Sequence, residues 1–180
     1  LRSEGQRMFT LSDVLYGTRL GGTSLSPDGR YLMTTFNLRR EGGKTDRITG
    51  IKELATGRVV AERSERLQWM PRSMAYYYTR SGVEGRQLIK VDVATGLESL
   101  LADNLPEGHF MMAPTEDYRL FTLTDEGPKE NKDIYEVVHP DDRQLGWRNR
   151  SHLAKYDLQT GLMQPLTFGF RNAWCNDISQ

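Results

Sequence analysis

The chain is poor in the groups that most often announce chemistry. Cys175 is its one cysteine, so an internal disulfide is excluded and the redox compartment stays open. With no cation or acid placed to lower its pKa, Cys175 reads as a small apolar side chain at a strand end rather than a reactive thiol. Only three histidines occur, His109, His139 and His152, and none has a second His or a Cys at metal-ligand spacing. On predicted strands, His109 and His152 are expected to fill hydrogen-bonded structural roles. Charge of one sign is not in excess: 24 basic residues face 24 acidic ones, which removes any electrostatic argument for nucleic acid or an anionic membrane. No run approaches the roughly 18 apolar residues of a membrane span. The opening residues Leu1-Arg2-Ser3-Glu4-Gly5-Gln6-Arg7 are polar, so any export signal is expected to have been removed or never to have existed. Nor is there a Gly-x-Ser-x-Gly elbow, the turn that exposes an activated serine on an α/β-hydrolase sheet, so no catalytic residue is assigned in this chain. No cofactor is expected either.

What the chain does contain is a repeated pair of turns. The first is clearest at Leu25-Ser26-Pro27-Asp28-Gly29-Arg30-Tyr31-Leu32, with degraded copies at Trp69-Met70-Pro71-Arg72-Ser73-Met74-Ala75-Tyr76 and Ala113-Pro114-Thr115-Glu116-Asp117-Tyr118-Arg119-Leu120. Proline presets the backbone angle, Asp bonds the chain ahead of it, and Gly takes the left-handed conformation. The second turn reads Glu53-Leu54-Ala55-Thr56-Gly57, Asp92-Val93-Ala94-Thr95-Gly96 and Asp157-Leu158-Gln159-Thr160-Gly161. The prolines step by 44 and then 43 residues, and Asp177-Ile178-Ser179-Gln180 looks like the opening of a further copy, after a longer step of 66 if Gln180 stands in the proline's place. Two hairpin turns per period of 40 to 45 residues is the signature of β-propeller blades.

The pattern predicts an all-β chain, a propeller fragment of about three four-stranded antiparallel blades plus the first strand of a fourth. The expected organisation is a single partial domain over 1–180: a lead-in over 1–17, blades over 18–64, 65–105 and 106–170, and a new blade opening over 171–180. Strands are predicted over 20–25, 31–38, a stretch ending near 54, and 58–61. In the second blade they fall over 67–70, 74–79, 86–93 and 97–101, and in the third over 108–112, 118–124, 152–158 and 163–166. Within Tyr76-Tyr77-Tyr78, Tyr76 and Tyr78 should pack between blades while Tyr77 faces the other way. Residues 11–15, after the possible cap Thr10, are compatible with a short helix or an irregular lead-in.

The longer step isolates an insertion over 125–150, dense in charge, that should project from one rim. It holds the candidates for substrate contact: Asp141, Asp142 and Arg143 in His139-Pro140-Asp141-Asp142-Arg143, and Arg148 and Arg150 in Trp147-Arg148-Asn149-Arg150, where guanidinium forks could meet a carboxylate. The alternative for both clusters is a solvated loop with local salt bridges, Trp147 packing it against the blade.

The Ser26-Pro27-Asp28-Gly29-Arg30-Tyr31-Leu32 turn, the Asp-x-x-Thr-Gly turns, Tyr156-Asp157-Leu158 and Leu166-Thr167-Phe168-Gly169 make essentially the whole chain resemble the N-terminal propeller of the prolyl oligopeptidase and dipeptidyl peptidase IV superfamily, in its exported bacterial form. TolB-like propellers use the same Ser-Pro-Asp-Gly turns. The resemblance implies a non-catalytic propeller that gates or orients peptide substrates for a C-terminal α/β-hydrolase domain carrying the Ser-Asp-His triad outside this chain. It also implies further blades and a periplasmic or extracellular location. The alternative is a TolB-like periplasmic propeller acting as a protein-binding scaffold. The dipeptidyl peptidase IV branch holds the substrate amino terminus with paired glutamates; no Glu-Glu pair occurs here, and Tyr135-Glu136-Val137 is a poor match. Open blade faces are expected either to make the chain self-associate or to leave it poorly stable.

Overall fold

A computed structural model describes residues 15–40, 42–83, 85–126, 149–169 and 171–178. Twelve strands occur among them. The first sheet contains β1 (Gly17–Leu25), β2 (Tyr31–Arg39), β3 (Thr45–Glu53) and β4 (Val59–Arg63). The second contains β5 (Gln68–Trp69), β6 (Ala75–Ser81), β7 (Arg86–Asp92) and β8 (Glu98–Leu105), and the third β9 (His109–Met112), β10 (Tyr118–Asp125), β11 (Arg150–Asp157) and β12 (Met163–Pro165). In each sheet spatial order follows chain order, so each is an up-and-down meander, the form of a propeller blade. The strands fall where the turn spacing placed them, with β5 shorter and β8 longer than expected. Residues 171–178 take no strand; they run beside β11, where the Ala173 amide donates to the Ser151 carbonyl (2.8 Å) and the Ser151 amide to Asn172 Oδ1 (2.8 Å). Cys175 therefore does not sit at a strand end. Its Sγ lies 3.0 Å from the Asp177 carbonyl oxygen.

Local chemistry makes the turns. The Asp92 carboxylate accepts from both the Thr95 amide and the Thr95 hydroxyl (2.8 Å each), while the Gly96 amide closes onto the Asp92 carbonyl (2.8 Å). Asp157 repeats this with Thr160 and Gly161, and Glu53 adapts it, accepting from Thr56 Oγ1 at 2.6 Å. Gly57, Gly96 and Gly161 have φ of +73°, +71° and +70°, the left-handed conformation that side chains resist. In the first turn Gly29 takes φ +71°, and Glu116 occupies the same place in the third blade at φ +64°.

A further bond joins the two turns of each sheet. The amide after the acidic residue donates to the carbonyl before the second strand: Leu54 to Arg30 (2.9 Å), Val93 to Met74 (3.2 Å), Leu158 to Asp117 (2.9 Å). Both turns therefore lie at one end of each sheet. β2, β6 and β10 end at the other.

The chain divides into two compact units, Leu1–Val83 with Gln87–Leu101, and Glu84–Arg86 with Ala102–Gln180. In the first, alternation along the strands sends Tyr31, Met33 and Ile51 from the first sheet against Tyr76, Tyr78, Ile89 and Val91 from the second. Burial of each such side chain contributes roughly 1.5–3 kcal/mol. As expected, Tyr76 and Tyr78 join this core, whereas Tyr77 does not, and its hydroxyl donates to Gln68 Oε1 (2.5 Å). On the other face of the first sheet Leu20 and Leu25, 64% and 57% exposed, sit opposite Phe36 and Leu32.

In the second unit Phe121, with no exposed surface, packs between Phe110 (ring centroids 5.3 Å apart) and Tyr156 (6.0 Å). Arg119, also fully buried, lies over the Phe110 ring at 4.0 Å. Arg86 approaches the same ring at 5.5 Å and donates to the Pro106 carbonyl (2.7 Å).

Two glycines should respond differently to an added methyl group. Around Gly96 nothing lies within 4 Å of a built Cβ, so Gly96→Ala meets only the backbone penalty and should cost about 1 kcal/mol. At Gly108, φ +130°, the Cβ would come 2.7 Å from the Thr122 carbonyl oxygen, a backbone atom of β10. Gly108→Ala should cost roughly 2 kcal/mol or more, and urea melts of the two variants would refute this by ranking them equally.

The turns also set an acid response. Hydrogen bonds from the amide and hydroxyl of Thr95 hold the Asp92 carboxyl below the ordinary aspartate range, and Thr160 does the same for Asp157. A carboxyl whose pKa is depressed on folding contributes stability that is complete above its unfolded pKa, near 4, and lost as pH falls through the folded value. Asp92→Asn with Asp157→Asn should therefore flatten the fall of the urea midpoint below about pH 4. An unchanged acid limb in the double variant would show that these turns do not set it.

Candidate functional site

Of the residues that the sequence singles out, Asp141, Asp142, Arg143 and Arg148 lie outside the described residues, as do His139 and Trp147. Arg150 is described, and it is strand rather than insertion: it opens β11, pairs in register with Asp125 at the end of β10, and is 7% exposed. Two residues on, His152 Nε2 lies 3.1 Å from Asp125 Oδ2, while Asp125 itself is open to solvent. His109 begins β9. Among the described residues no three His, Cys, Asp or Glu side chains gather as a metal site.

A concavity in the first unit runs along the first sheet from the Ser24–Met33 pair, next to the first turn, to the Asn37–Arg47 pair. It encloses roughly 400 Å³ and is reached by β1, β2, the start of β3 and the segment that enters β5. Its shape begins in β1. The register between β1 and β2 shifts between Leu20 and Gly22, so Gly21 forms a bulge. A Cβ on Gly21 would fall 2.5 Å from Asn37 Nδ2, so the absent side chain is what lets Asn37 lie against the strand.

Met33 and Leu67, both buried, give the cleft its apolar base. Thr23, Ser24, Thr35, Asn37 and Gln68 supply hydroxyls and amides. Several are already held: Thr35 Oγ1 shares a hydrogen bond with Thr49 Oγ1 (3.1 Å), and Gln68 Oε1 accepts from Tyr77. The Ser24 carbonyl accepts from Trp69 Nε1 (3.3 Å).

Two cations complete the lining, Arg47 on β3 and Arg66 before β5. Both are exposed, and among the described residues neither guanidinium forms an ion pair or hydrogen bond. Among the described residues no carboxylate lines the cleft. Chemically it can pair a negatively charged or carbonyl-bearing group with guanidinium forks over a small apolar base. None of these residues is among the sequence candidates. The adjacent glycines Gly21-Gly22 inside a strand pattern were the available signal, because such glycines mark a bulge or a close approach.

Arg63, by contrast, is fully engaged. Its guanidinium reaches Glu98 Oε1 (2.5 Å), the Tyr76 hydroxyl (3.4 Å) and the Tyr78 hydroxyl (3.5 Å), and lies over the Tyr78 ring at 4.9 Å. Burial, followed by the hydrogen bond to Glu98, pushes the Tyr78 hydroxyl up. This cluster clips β4 to β6 and β8 rather than offering a free group.

No protein-family model matches the chain, and no curated protein matches it significantly. Solved structures do. The acylaminoacyl peptidase of Pyrococcus horikoshii superposes with a TM-score of 0.54 at 11% identity, covering 82% of this chain and 25% of that one. The AtxE2 isopeptidase gives 0.53 at 13% identity, covering 88% and 32%. TolB from Acinetobacter baumannii gives 0.47 at 14%, covering 86% and 33%. The two peptidase matches establish the fold, three blades of β-propeller type, and the chain spans about a quarter to a third of the length of these proteins. Among the described residues no helix is long and apolar enough to cross a membrane.

Gly21→Ala tests the origin of the cleft. Because the group in the way is the tip of a side chain, the variant should lose less than about 1 kcal/mol while displacing Asn37. Side-chain amide resonances of Asn37 should shift in a ¹⁵N correlation spectrum; an unmoved Asn37 signal in the folded variant would sink this account.

Proposed function

We propose that the chain is a non-catalytic propeller portion of a serine peptidase, of the prolyl oligopeptidase and dipeptidyl peptidase IV superfamily, which orients peptides for an α/β-hydrolase domain outside these residues. The observation that carries the reading is the match of 82% and 88% of the chain to only 25% and 32% of two peptidases. Two further features support it. The sequence contains no Gly-x-Ser-x-Gly elbow, so hydrolysis has to be supplied from elsewhere. The cleft offers amides, hydroxyls and guanidinium groups, the partners a peptide needs. An exported, periplasmic or extracellular setting accompanies this reading. The substrate-contact role of Asp141, Asp142, Arg143, Arg148 and Arg150 remains part of the proposal, with Arg150 acting from its strand position beside Asp125.

The 180-residue chain should neither hydrolyse chromogenic prolyl or acylated peptides nor label with a serine-directed fluorophosphonate. The natural polypeptide that contains it should do both. Turnover by the isolated chain, abolished by a serine inhibitor, would refute the non-catalytic assignment. A natural polypeptide that takes up no probe would favour a TolB-like binding scaffold instead.

A further inference from the structure

We propose that the cleft in the first unit binds the C-terminal carboxylate of an extended peptide, with Arg47 and Arg66 as the recognising cations. The inference rests on the peptide reading above and adds the chemical group recognised.

Three observations converge on it. Arg47 and Arg66 line one concavity, and among the described residues no carboxylate lines it and neither arginine has a partner. Guanidinium groups pair with carboxylates in a planar, bidentate geometry, and a partly enclosed cleft screens that pairing less than open solvent does. The volume, roughly 400 Å³, suits the end of a peptide rather than a whole folded surface. Finally, among the described residues β1 is the terminal strand of its sheet, paired with β2 alone, and all nine of its residues are exposed. An open strand edge beside the arginines gives an approaching peptide main-chain partners as well as a charge partner.

Polyanions are a poorer fit. Two arginines do not form a basic stripe, and the chain as a whole is neutral, so a nucleic-acid backbone would find no continuous field to follow. The base formed by Met33 and Leu67 favours an apolar side chain next to the carboxylate.

The test uses the 180-residue chain and an N-terminally labelled pentapeptide, four alanines ending in leucine, read by fluorescence anisotropy. It is offered as the free acid, as the C-terminal amide, and as an amide with a central glutamate. The expected result is binding of the free acid, binding of both amides weaker by about tenfold or more, and loss of that difference in Arg47→Gln and in Arg66→Gln. Both arginines are exposed and unengaged, so the variants should keep the parent circular dichroism and melting temperature; the acid-against-amide comparison on the parent chain decides the matter even if they do not. If the glutamate amide binds as well as the free acid, the terminal assignment is overturned in favour of a side-chain carboxylate. Equal, arginine-insensitive binding of acid and amide overturns the carboxylate inference and leaves the peptide reading intact. Binding of inorganic phosphate through Arg47 and Arg66, with no peptide bound, overturns both. Absence of binding by every probe overturns the inference.

Discussion

One backbone hydrogen bond, repeated in all three sheets, is the constraint on which the rest depends. It runs from the amide of Leu54, Val93 or Leu158 to the carbonyl of Arg30, Met74 or Asp117 and ties the turn after the third strand to the turn before the second. Each turn alone would close a hairpin. The tie makes the two hairpins of a blade share one end, and with that end pinned the register of β2 against β3, or of β10 against β11, follows residue by residue. The side chains around the tie can vary because the bond belongs to the backbone. Glu53 stands where the other copies have Asp, and Glu116 accepts the left-handed conformation that Gly29 takes freely.

Pinning one end leaves variation for the other. The connections after β2, β6 and β10 differ in length and charge, and the last separates Asp125 from Arg150. In the first unit the cleft runs from Ser24 and Met33, beside the pinned end, to Asn37 and Arg47 toward the other, with the chain between β4 and β5 along its side. Thr35 and Thr49 bond to each other behind it, continuing the rigid core up to its wall.

This division explains what the sequence made legible. Turn chemistry is local, so Pro27, Asp28, Gly29 and the Thr-Gly pairs announced the strand ends directly, and strict alternation placed Tyr76 and Tyr78 in the core. Strand lengths at the unpinned end were harder. Arg150 was read as part of a charged insertion, yet hairpin pairing between β10 and β11 continues as far as Asp125 and Arg150 and buries it. The cleft was invisible for a different reason. Residues 21–24, Met33, Thr35, Asn37 and Arg47 are neighbours in one sheet, but Arg66, Leu67 and Gln68 join them only after the two sheets of the first unit pack, and an exposed arginine carries no signal in its own neighbourhood.

Arg119 shows how far strand geometry can override residue type. Arginine is seldom fully buried unless its charge is met, which would place Arg119 on an outer face. In Tyr118-Arg119-Leu120-Phe121, however, the period of two puts Arg119 on the same side as Phe121, and the pinned turn at Asp117 prevents a slip of one residue. A slip would expose Phe121 and lose its contacts with Phe110 and Tyr156. The sheet therefore keeps its register and buries the guanidinium, which lies 4.0 Å from the Phe110 ring centroid, where the π face offers it partial negative charge. Arg86 meets the same ring and satisfies one of its donors on the Pro106 carbonyl. Register comes first here, and the Phe110 ring is one of the groups that meet the buried cation.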